Sequence, residues 1–260
     1  MKLVVDRLSF GYPHGEQLLK EVSFSAQNGE LISLLGPNGT GKTTLFRCIL
    51  GQLRATGEIL LDGEPLAALS PRALAGKVAY IPQSHSPAFS YPVEEMILMG
   101  AAAGLKWFQQ PGKAERAKLE MVIDSLGLEP LRNRAFDTLS GGEQQLVMMA
   151  RAMMTDARVW LLDEPAANLD YGNQTRLLLL LQQLAEKGYL LIQSTHSPQQ
   201  AALYSSRVLA LADGKLAGDG EPAKVLDADM IQTLYGLNVK VCDIPSGGRE
   251  VRVFLPDLSK

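Results

Sequence analysis

The feature that most constrains this chain is a glycine-rich loop at residues 36–43, which reads Gly-Pro-Asn-Gly-Thr-Gly-Lys-Thr. Its spacing is that of a phosphate-binding loop. The glycines allow backbone N–H groups to turn inward around an anion, and the helix expected after the loop adds its positive N-terminal end. The apolar run Leu31–Leu35 before the loop predicts a buried strand. The strand–loop–helix order predicts an α/β fold that binds phosphate.

Two side chains of this loop carry specific chemistry. Lys42 can reach the β- and γ-phosphates of a nucleotide, and the Thr43 hydroxyl can ligate Mg²⁺. The residues expected to surround the phosphates are Gly36, Pro37, Asn38, Gly39, Thr40, Gly41, Lys42, Thr43 and Thr44.

A second motif is an apolar run, Val159–Leu162, that ends in two carboxylates. At a strand end beside the phosphate loop, Asp163 would face the Mg²⁺ shell and Glu164 would act as a general base on the attacking water. Taken alone, the pair could equally be ordinary loop acids after a strand. The phosphate loop upstream favours the catalytic interpretation.

A third motif, Leu-Ser-Gly-Gly at residues 139–142, precedes a helical pattern. Ser140 is placed as an N-cap, and Gly141 and Gly142 leave the backbone open to close approach, which predicts another anion site at a helix end. One γ-phosphate does not need two such sites on one chain. We therefore expect the second site to serve a nucleotide held by another copy of the chain.

With these motifs in this order, the chain resembles the ATPase subunits of ABC transporters from Tyr12 to His196. The resemblance implies ATP and Mg²⁺ as cofactors and a head-to-tail homodimer with two ATP molecules at its interface. Each ATP would lie between the phosphate loop of one subunit and the Leu-Ser-Gly-Gly segment of the other.

The resemblance also implies roles for four further residues. Tyr12 would stack on adenine, Gln83 would join the metal and water site to a helical insertion, Asp170 would couple the two active sites, and His196 would contact the γ-phosphate and orient the water. The alternatives are a turn tyrosine, a solvated loop glutamine, a surface loop acid or helix cap, and a polar histidine at a strand end. Three residues depart from the commoner family pattern: Gln144, Ala166 and Ala167. They replace groups that would form hydrogen bonds near the dimer interface.

Short apolar runs that alternate with helical patterns predict a mostly parallel core sheet covered by helices. The expected organisation is one ABC-type P-loop NTPase domain of the α/β class, with an antiparallel β subdomain. Residues 1–86 and 157–220 would form the nucleotide-binding core, 87–156 an inserted helical subdomain and 221–260 a short tail. Helices are predicted to begin near Lys42, Pro71, Val93, Ala114, Gly141, Gly172 and Pro198. Strands are predicted at Leu3–Asp6, Glu21–Ala26, Leu31–Leu35, Gly57–Leu61, Val78–Ile81, Val159–Leu162, Leu190–Gln193 and Val208–Leu211.

Composition narrows the class of partner. The net charge is −3 and no Lys/Arg block occurs, so nucleic acid binding lacks electrostatic support. No apolar run approaches the ~20 residues of a spanning helix, and the N-terminus lacks a signal-peptide pattern. We expect a soluble subunit that lies peripherally on the cytoplasmic face of the inner membrane through a permease.

An apolar and aromatic stretch after Gln83 is suited to receive a helix of that permease. Its residues are Phe89, Tyr91, Pro92, Val93, Met96 and Met99. Packing inside the helical insertion is the alternative, and it is equally favoured for Val93, Met96 and Met99.

The type of transporter is the least determined property. The tail around Leu234-Tyr235-Gly236 resembles the endings of subunits that serve iron–siderophore, haem, cobalamin or molybdate importers, which also use a substrate-binding protein. The alternatives are a subunit of an exporter or lipid-handling complex, and a soluble ABC ATPase that acts outside transport.

Overall fold

The structure is a computed structural model that describes residues 1–13, 15–83, 89–105, 109–246 and 248–257. Its strands are β1 (Lys2–Gly11), β2 (Gln17–Gln27), β3 (Leu31–Leu35), β4 (Thr56–Leu61), β5 (Glu64–Pro65), β6 (Val78–Ile81), β7 (Val159–Leu162), β8 (Leu190–Thr195), β9 (Arg207–Ala212), β10 (Lys215–Gly220), β11 (Val239–Ser246) and β12 (Arg249–Pro256). Its helices are α1 (Lys42–Ile49), α2 (Pro71–Ala75), α3 (Val93–Leu98), α4 (Lys113–Ser125), α5 (Gly141–Met153), α6 (Tyr171–Glu186), α7 (Pro198–Tyr204), α8 (Pro222–Val225) and α9 (Ala228–Tyr235).

The chain divides into two compact units, the first of which comprises Met1–Ala68 and Leu181–Lys260. It holds an antiparallel sheet in the order β2-β1-β4-β5 and the strand series β10-β9-β3-β8. Strand β3 is wholly buried and runs parallel to both β8 and β9. Because parallel strands present their carboxyl ends at one edge, the loop after β3 begins beside the ends of its two neighbours. The predicted parallel core and antiparallel subdomain are confirmed.

The second unit, Leu69–Leu180, contains the parallel pair β6–β7 and a set of helices. All residues of β7 are buried, as expected of a strand covered on both faces. Between positions 89 and 156 the described residues form α3, α4, α5 and short 3₁₀ turns. The β-type contact among these described residues is an isolated bridge between Pro92 and Ala135. This agrees with the helical patterns predicted there.

One guanidinium ties the helical part of this unit together. Arg132 donates to Glu94 at 2.7 Å and to both oxygens of Glu120 at 2.6 and 2.8 Å. Its side chain is only 21% exposed, so these ion pairs are partly shielded from water. Arg132 therefore joins α3, α4 and the turn that follows α4.

The predicted helix starts agree with the structure at Lys42, Pro71, Val93, Gly141 and Pro198 and lie one residue late for α4 and α6. Ser70 caps α2, because its hydroxyl accepts the Ala73 N–H at 3.2 Å. The sequence patterns do not predict β5, β10, α8, α9 or the hairpin β11–β12. The described part of the predicted short tail, residues 221–246 and 248–257, therefore contains two helices and a hairpin. Among the described residues no helix is both long enough and apolar enough to cross a membrane.

Candidate functional site

The phosphate loop wraps around its own lysine. Lys42 is only 6% exposed, and its ammonium donates to the carbonyl oxygens of Gly36 at 2.7 Å and Pro37 at 2.9 Å. The Thr40 hydroxyl also donates to the Pro37 oxygen, at 3.0 Å. These bonds hold the cation at the concave centre of the loop, where a phosphate would enter.

Two glycines are required by this loop for steric reasons. A β-carbon at Gly36 would lie 2.5 Å from the Leu211 carbonyl oxygen of β9. Gly41, the N-cap of α1, has φ 103°, and a β-carbon there would lie 2.9 Å from the Leu19 side chain. Only glycine satisfies both the close approach and the left-handed backbone.

Tyr12 lies beside the helix that follows the loop. Its hydroxyl is 3.4 Å from Oγ1 of Thr44, and its ring meets Phe10 edge-to-face with centroids 5.0 Å apart. The Tyr12 side chain is 45% exposed. The structure thus brings an accessible aromatic ring to the phosphate-loop helix.

His196 is also close to the loop. It follows the last residue of β8, Thr195, whose carbonyl oxygen accepts the Gly36 N–H at 3.3 Å. Thr195 is buried, whereas His196 is exposed. The first unit therefore brings Tyr12, the phosphate loop and His196 together.

The second unit holds the acidic strand end. Strands β6 and β7 pair so that Ile81 lies opposite Leu162, and the Asp163 N–H donates to the Ile81 carbonyl at 2.8 Å. Asp163 is only 4% exposed and accepts a hydrogen bond from the Tyr80 hydroxyl at 3.4 Å. Nothing in the sequence pattern pointed to Tyr80, because a strand tyrosine is commonly a packing residue.

Glu164 has an unusual backbone and a specific neighbour. Its φ is 45°, in the left-handed region that side chains other than glycine rarely adopt. Its Oε2 accepts a hydrogen bond from the Gln83 amide at 3.3 Å. Such strain persists where the surrounding structure holds the residue in place, and it concentrates at functional sites. The structure thus brings Gln83 to the carboxylate of Glu164.

The Leu-Ser-Gly-Gly segment ends in a capped helix. Ser140 is the N-cap of α5, with its hydroxyl accepting the Glu143 N–H, and Glu143 accepts from the Ser140 N–H at 2.7 Å and from its hydroxyl at 2.8 Å. These hydrogen bonds lower the pKa of the Glu143 carboxyl. Gln144 donates to the carbonyls of Phe136 and Leu139, which fixes the approach to the helix.

Asp170 lies beside this helix end. It accepts the Asn173 N–H at 2.9 Å and the Asn173 amide at 2.7 Å, which lowers the pKa of the aspartate. A β-carbon at Gly142 would lie 3.0 Å from the Asn173 side chain. Asp170 is thus a capping residue for α6, and Asn173 connects it to the Leu-Ser-Gly-Gly segment.

The stretch after Gln83 divides into core and surface. Val93 and Met96 are 0% and 2% exposed, so they pack inside the protein rather than form a docking surface. Phe89 is 70% exposed, and its ring lies edge-to-face with that of Tyr91. Met99 lines a cavity of about 540 Å³ in the second unit. The other residues of its lining are Arg72, Glu95, Leu98, Ala102, Leu105, Gln109 and Pro111.

The loop, the acidic strand end and the capped Leu-Ser-Gly-Gly helix define the ATP-binding subunits of ABC transporters. The chain belongs to this family, because the family model described as "ABC transporter" matches residues 19–167. It is an ATPase subunit that binds ATP and powers transport.

Individual relatives and structures agree with this class. The chain is 37% identical to an uncharacterised ABC transporter ATP-binding protein of Haemophilus influenzae, over 90% of this chain and 89% of the relative. It is 39% identical to the hemin import ATP-binding protein HmuV of Enterobacter cloacae, over 92% of each chain. A solved inward-facing ABC transporter assigned to the metal-chelate type matches with a TM-score of 0.86 and 28% identity, over 98% of this chain and 96% of that one.

Proposed function

We propose that two copies of this chain form a head-to-tail dimer around two ATP molecules and drive the import of a metal chelate. The observation that carries the proposal is the exposed N-terminal end of α5 at Ser140 and Gly141. It is a second anion site, in a different unit from the phosphate loop around Lys42. A site of this kind is suited to the γ-phosphate of a nucleotide bound by a second subunit.

Within one subunit, the chain's own groups divide the work. Lys42 and the loop N–H groups bind the β- and γ-phosphates, and Tyr12 stacks on the adenine. Glu164 accepts the proton of the attacking water, while His196 contacts the γ-phosphate and orients that water. Asp170 couples the two active sites of the dimer.

A magnesium ion fits the donor set of this chain. Thr43, Gln83 and Asp163 offer hydroxyl, amide and carboxylate oxygens, the hard ligands that Mg²⁺ takes alongside phosphate and water. Such an ion commonly keeps one or two protein ligands and takes the rest from phosphate and water. When bound, the ion neutralises charge that develops on the phosphates.

The permease is proposed to dock on the second unit. The cavity beside Met99 is mainly apolar, with Arg72 and Glu95 supplying a charge of each sign, and it is large enough for side chains of a partner helix. Through this contact the subunit would lie on the cytoplasmic face of the inner membrane. A substrate-binding protein would join the complex through the permease.

The proposed cargo class follows from similarity. The Enterobacter cloacae relative is a hemin import protein, and the structural neighbour is of the metal-chelate type. We therefore infer that this chain powers import of a metal chelate or a related substrate, which would be haem, an iron–siderophore, cobalamin or molybdate.

The test is to tag the chain, extract native membranes in mild detergent and reconstitute what copurifies into liposomes. We expect a polytopic permease, with ATP hydrolysis that rises when the loaded substrate-binding protein is added. Met99→Glu should lose the permease, whereas Met121→Glu, at a site that is 73% exposed, should retain it. A complex that exports its substrate, or recovery without any permease, would overturn the importer proposal.

A further inference from the structure

Helix α9 contacts the loop between β8 and α7, which comprises His196 and Ser197 and is called the histidine loop below. The hydroxyl of Tyr235, the last residue of α9, donates to the main-chain carbonyl of His196 at 2.9 Å. Burial raises the pKa of Tyr235, so its hydroxyl keeps its proton over the whole physiological range and can act as a donor.

Helix α9 is firmly placed for this contact. Asp227 caps its first turn by accepting the Met230 N–H at 2.7 Å, and Gly236 ends the helix at φ 67°. Leu234 packs into an apolar cluster that includes Leu35, the residue before the phosphate loop. Tyr235 therefore approaches His196 from an element anchored on the same core as the loop.

The hairpin β11–β12 holds the helix that follows His196. The side-chain amide of Gln199, in α7, makes two hydrogen bonds to β12. Its Nε2 donates to the Arg252 main-chain carbonyl at 2.9 Å, and its Oε1 accepts the Phe254 N–H at 3.5 Å. Arg252 in turn donates to both oxygens of Asp243, at 2.8 and 2.7 Å, and to the carbonyl of Ala223. These bonds link α7, α8 and the hairpin.

We propose that residues 222–246 and 248–256 form a brace for the histidine loop and that Tyr235 is its positioning residue. The proposal rests on the proposed role of His196 at the γ-phosphate. His196 is exposed and lies between the buried end of β8 and the first residue of α7. A hydrogen bond on its carbonyl narrows the backbone conformations from which the imidazole can reach the attacking water, and small misplacements of such groups cost rate.

The test compares Tyr235→Phe, which removes a single oxygen, with the matched variant Tyr204→Phe at the end of α7. We expect Tyr235→Phe to lower kcat for ATP about fivefold, the size of one neutral hydrogen bond, with KM for ATP unchanged. Tyr204→Phe should retain the wild-type kcat. In a His196→Ala background, Tyr235→Phe should produce no further loss, because its effect acts through the imidazole.

A second readout covers the case in which His196→Ala is too slow to compare. The ¹⁵N ring resonances of His196 should shift or broaden in Tyr235→Phe and stay unchanged in Tyr204→Phe. A wild-type kcat in Tyr235→Phe, or a loss of equal size in the His196→Ala background, would overturn the brace. Full activity of His196→Ala itself would instead show that the role of His196 in the proposed function is wrong.

Discussion

The side-chain amide of Gln83 donates a hydrogen bond to Oε2 of Glu164 over 3.3 Å. The two residues are 81 positions apart, and β6 and β7 bring them to one edge of a parallel pair. Glu164 thus has a neutral donor that can orient its carboxylate without removing its charge. This geometry suits the proposed role of Glu164 as a general base, which needs its carboxylate held in one orientation.

Replacing Glu164 by Gln should remove the base and leave the nucleotide contacts intact. We expect phosphate release to fall at least about hundredfold, the usual contribution of a positioned base, with ATP affinity retained and a stable ATP-bound dimer. Single-turnover phosphate release and light scattering would measure both effects. Glu186→Gln, on the exposed end of α6, is the control and should hydrolyse ATP at the wild-type rate. Wild-type turnover in Glu164→Gln would contradict the assignment.

Tyr12→Ala should weaken nucleotide binding with little change in maximal rate. Loss of an aromatic stacking contact costs about 0.5–1.5 kcal/mol, which corresponds to a factor of about 2 to 12 in Kd. Tyr12→Phe loses only the long contact to Thr44 and should bind nearly as well. Titration with a fluorescent nucleotide would distinguish the two variants. Equal affinity in Tyr12→Ala and the wild type would show that Tyr12 is a turn residue that does not stack on the adenine.

Acid sensitivity should change when Glu143 is replaced by Gln. Hydrogen bonds from the Ser140 N–H and hydroxyl lower the pKa of Glu143 below its usual value of 4.5. The stabilisation is therefore complete above the unfolded pKa and is lost as pH falls through the folded pKa. Urea unfolding of the wild type should lose stability more steeply than Glu143→Gln below about pH 4.5. Parallel curves would show that the capping box contributes no proton linkage.

Removing Arg132 should loosen the helical part of the second unit. Arg132→Ala leaves Glu94 and Glu120 without their shared cation, and Arg132→Lys keeps the charge but loses the two-pronged geometry. We expect faster amide exchange in α3 and α4 for both variants, with the larger increase for alanine. Arg116→Ala, on the exposed side of α4, should exchange as the wild type does. If amide exchange in α3 and α4 of the wild type rises similarly in 0.5 M salt, the restraint from Arg132 is ionic.

Local signals explain what could be predicted from the sequence. Ser70 before Pro71, Ser140 before two glycines, and Pro198 at a first helical position are cap and start signals that depend only on neighbouring residues. The fully buried strands β3 and β7 are likewise evident from their mainly apolar composition. The helix α3 shows the limit of this approach, since the spacing of Val93 and Met96 identifies a buried face but not whether the chain itself or a partner covers it.

The unpredicted parts depend on distant contacts. The hairpin β11–β12 is attached through Gln199, more than fifty positions before Arg252, and β10 contains two glycines that weaken any strand pattern. The pairs Tyr80–Asp163 and Tyr235–His196 are 83 and 39 positions apart. No spacing rule on one sequence reveals such partners.

The carbonyl oxygen of Leu211 that faces Gly36 changes how a saturation library of the phosphate loop should be interpreted. At position 36 every side chain larger than hydrogen collides with strand β9. The loss of variants at this position from the library would therefore indicate a packing failure. A β-carbon at Gly39 meets nothing within 4 Å, although its φ of 84° still disfavours other residues. A partial fitness score at position 39 would therefore measure backbone preference, and the two glycines of one motif would carry different information in the same selection.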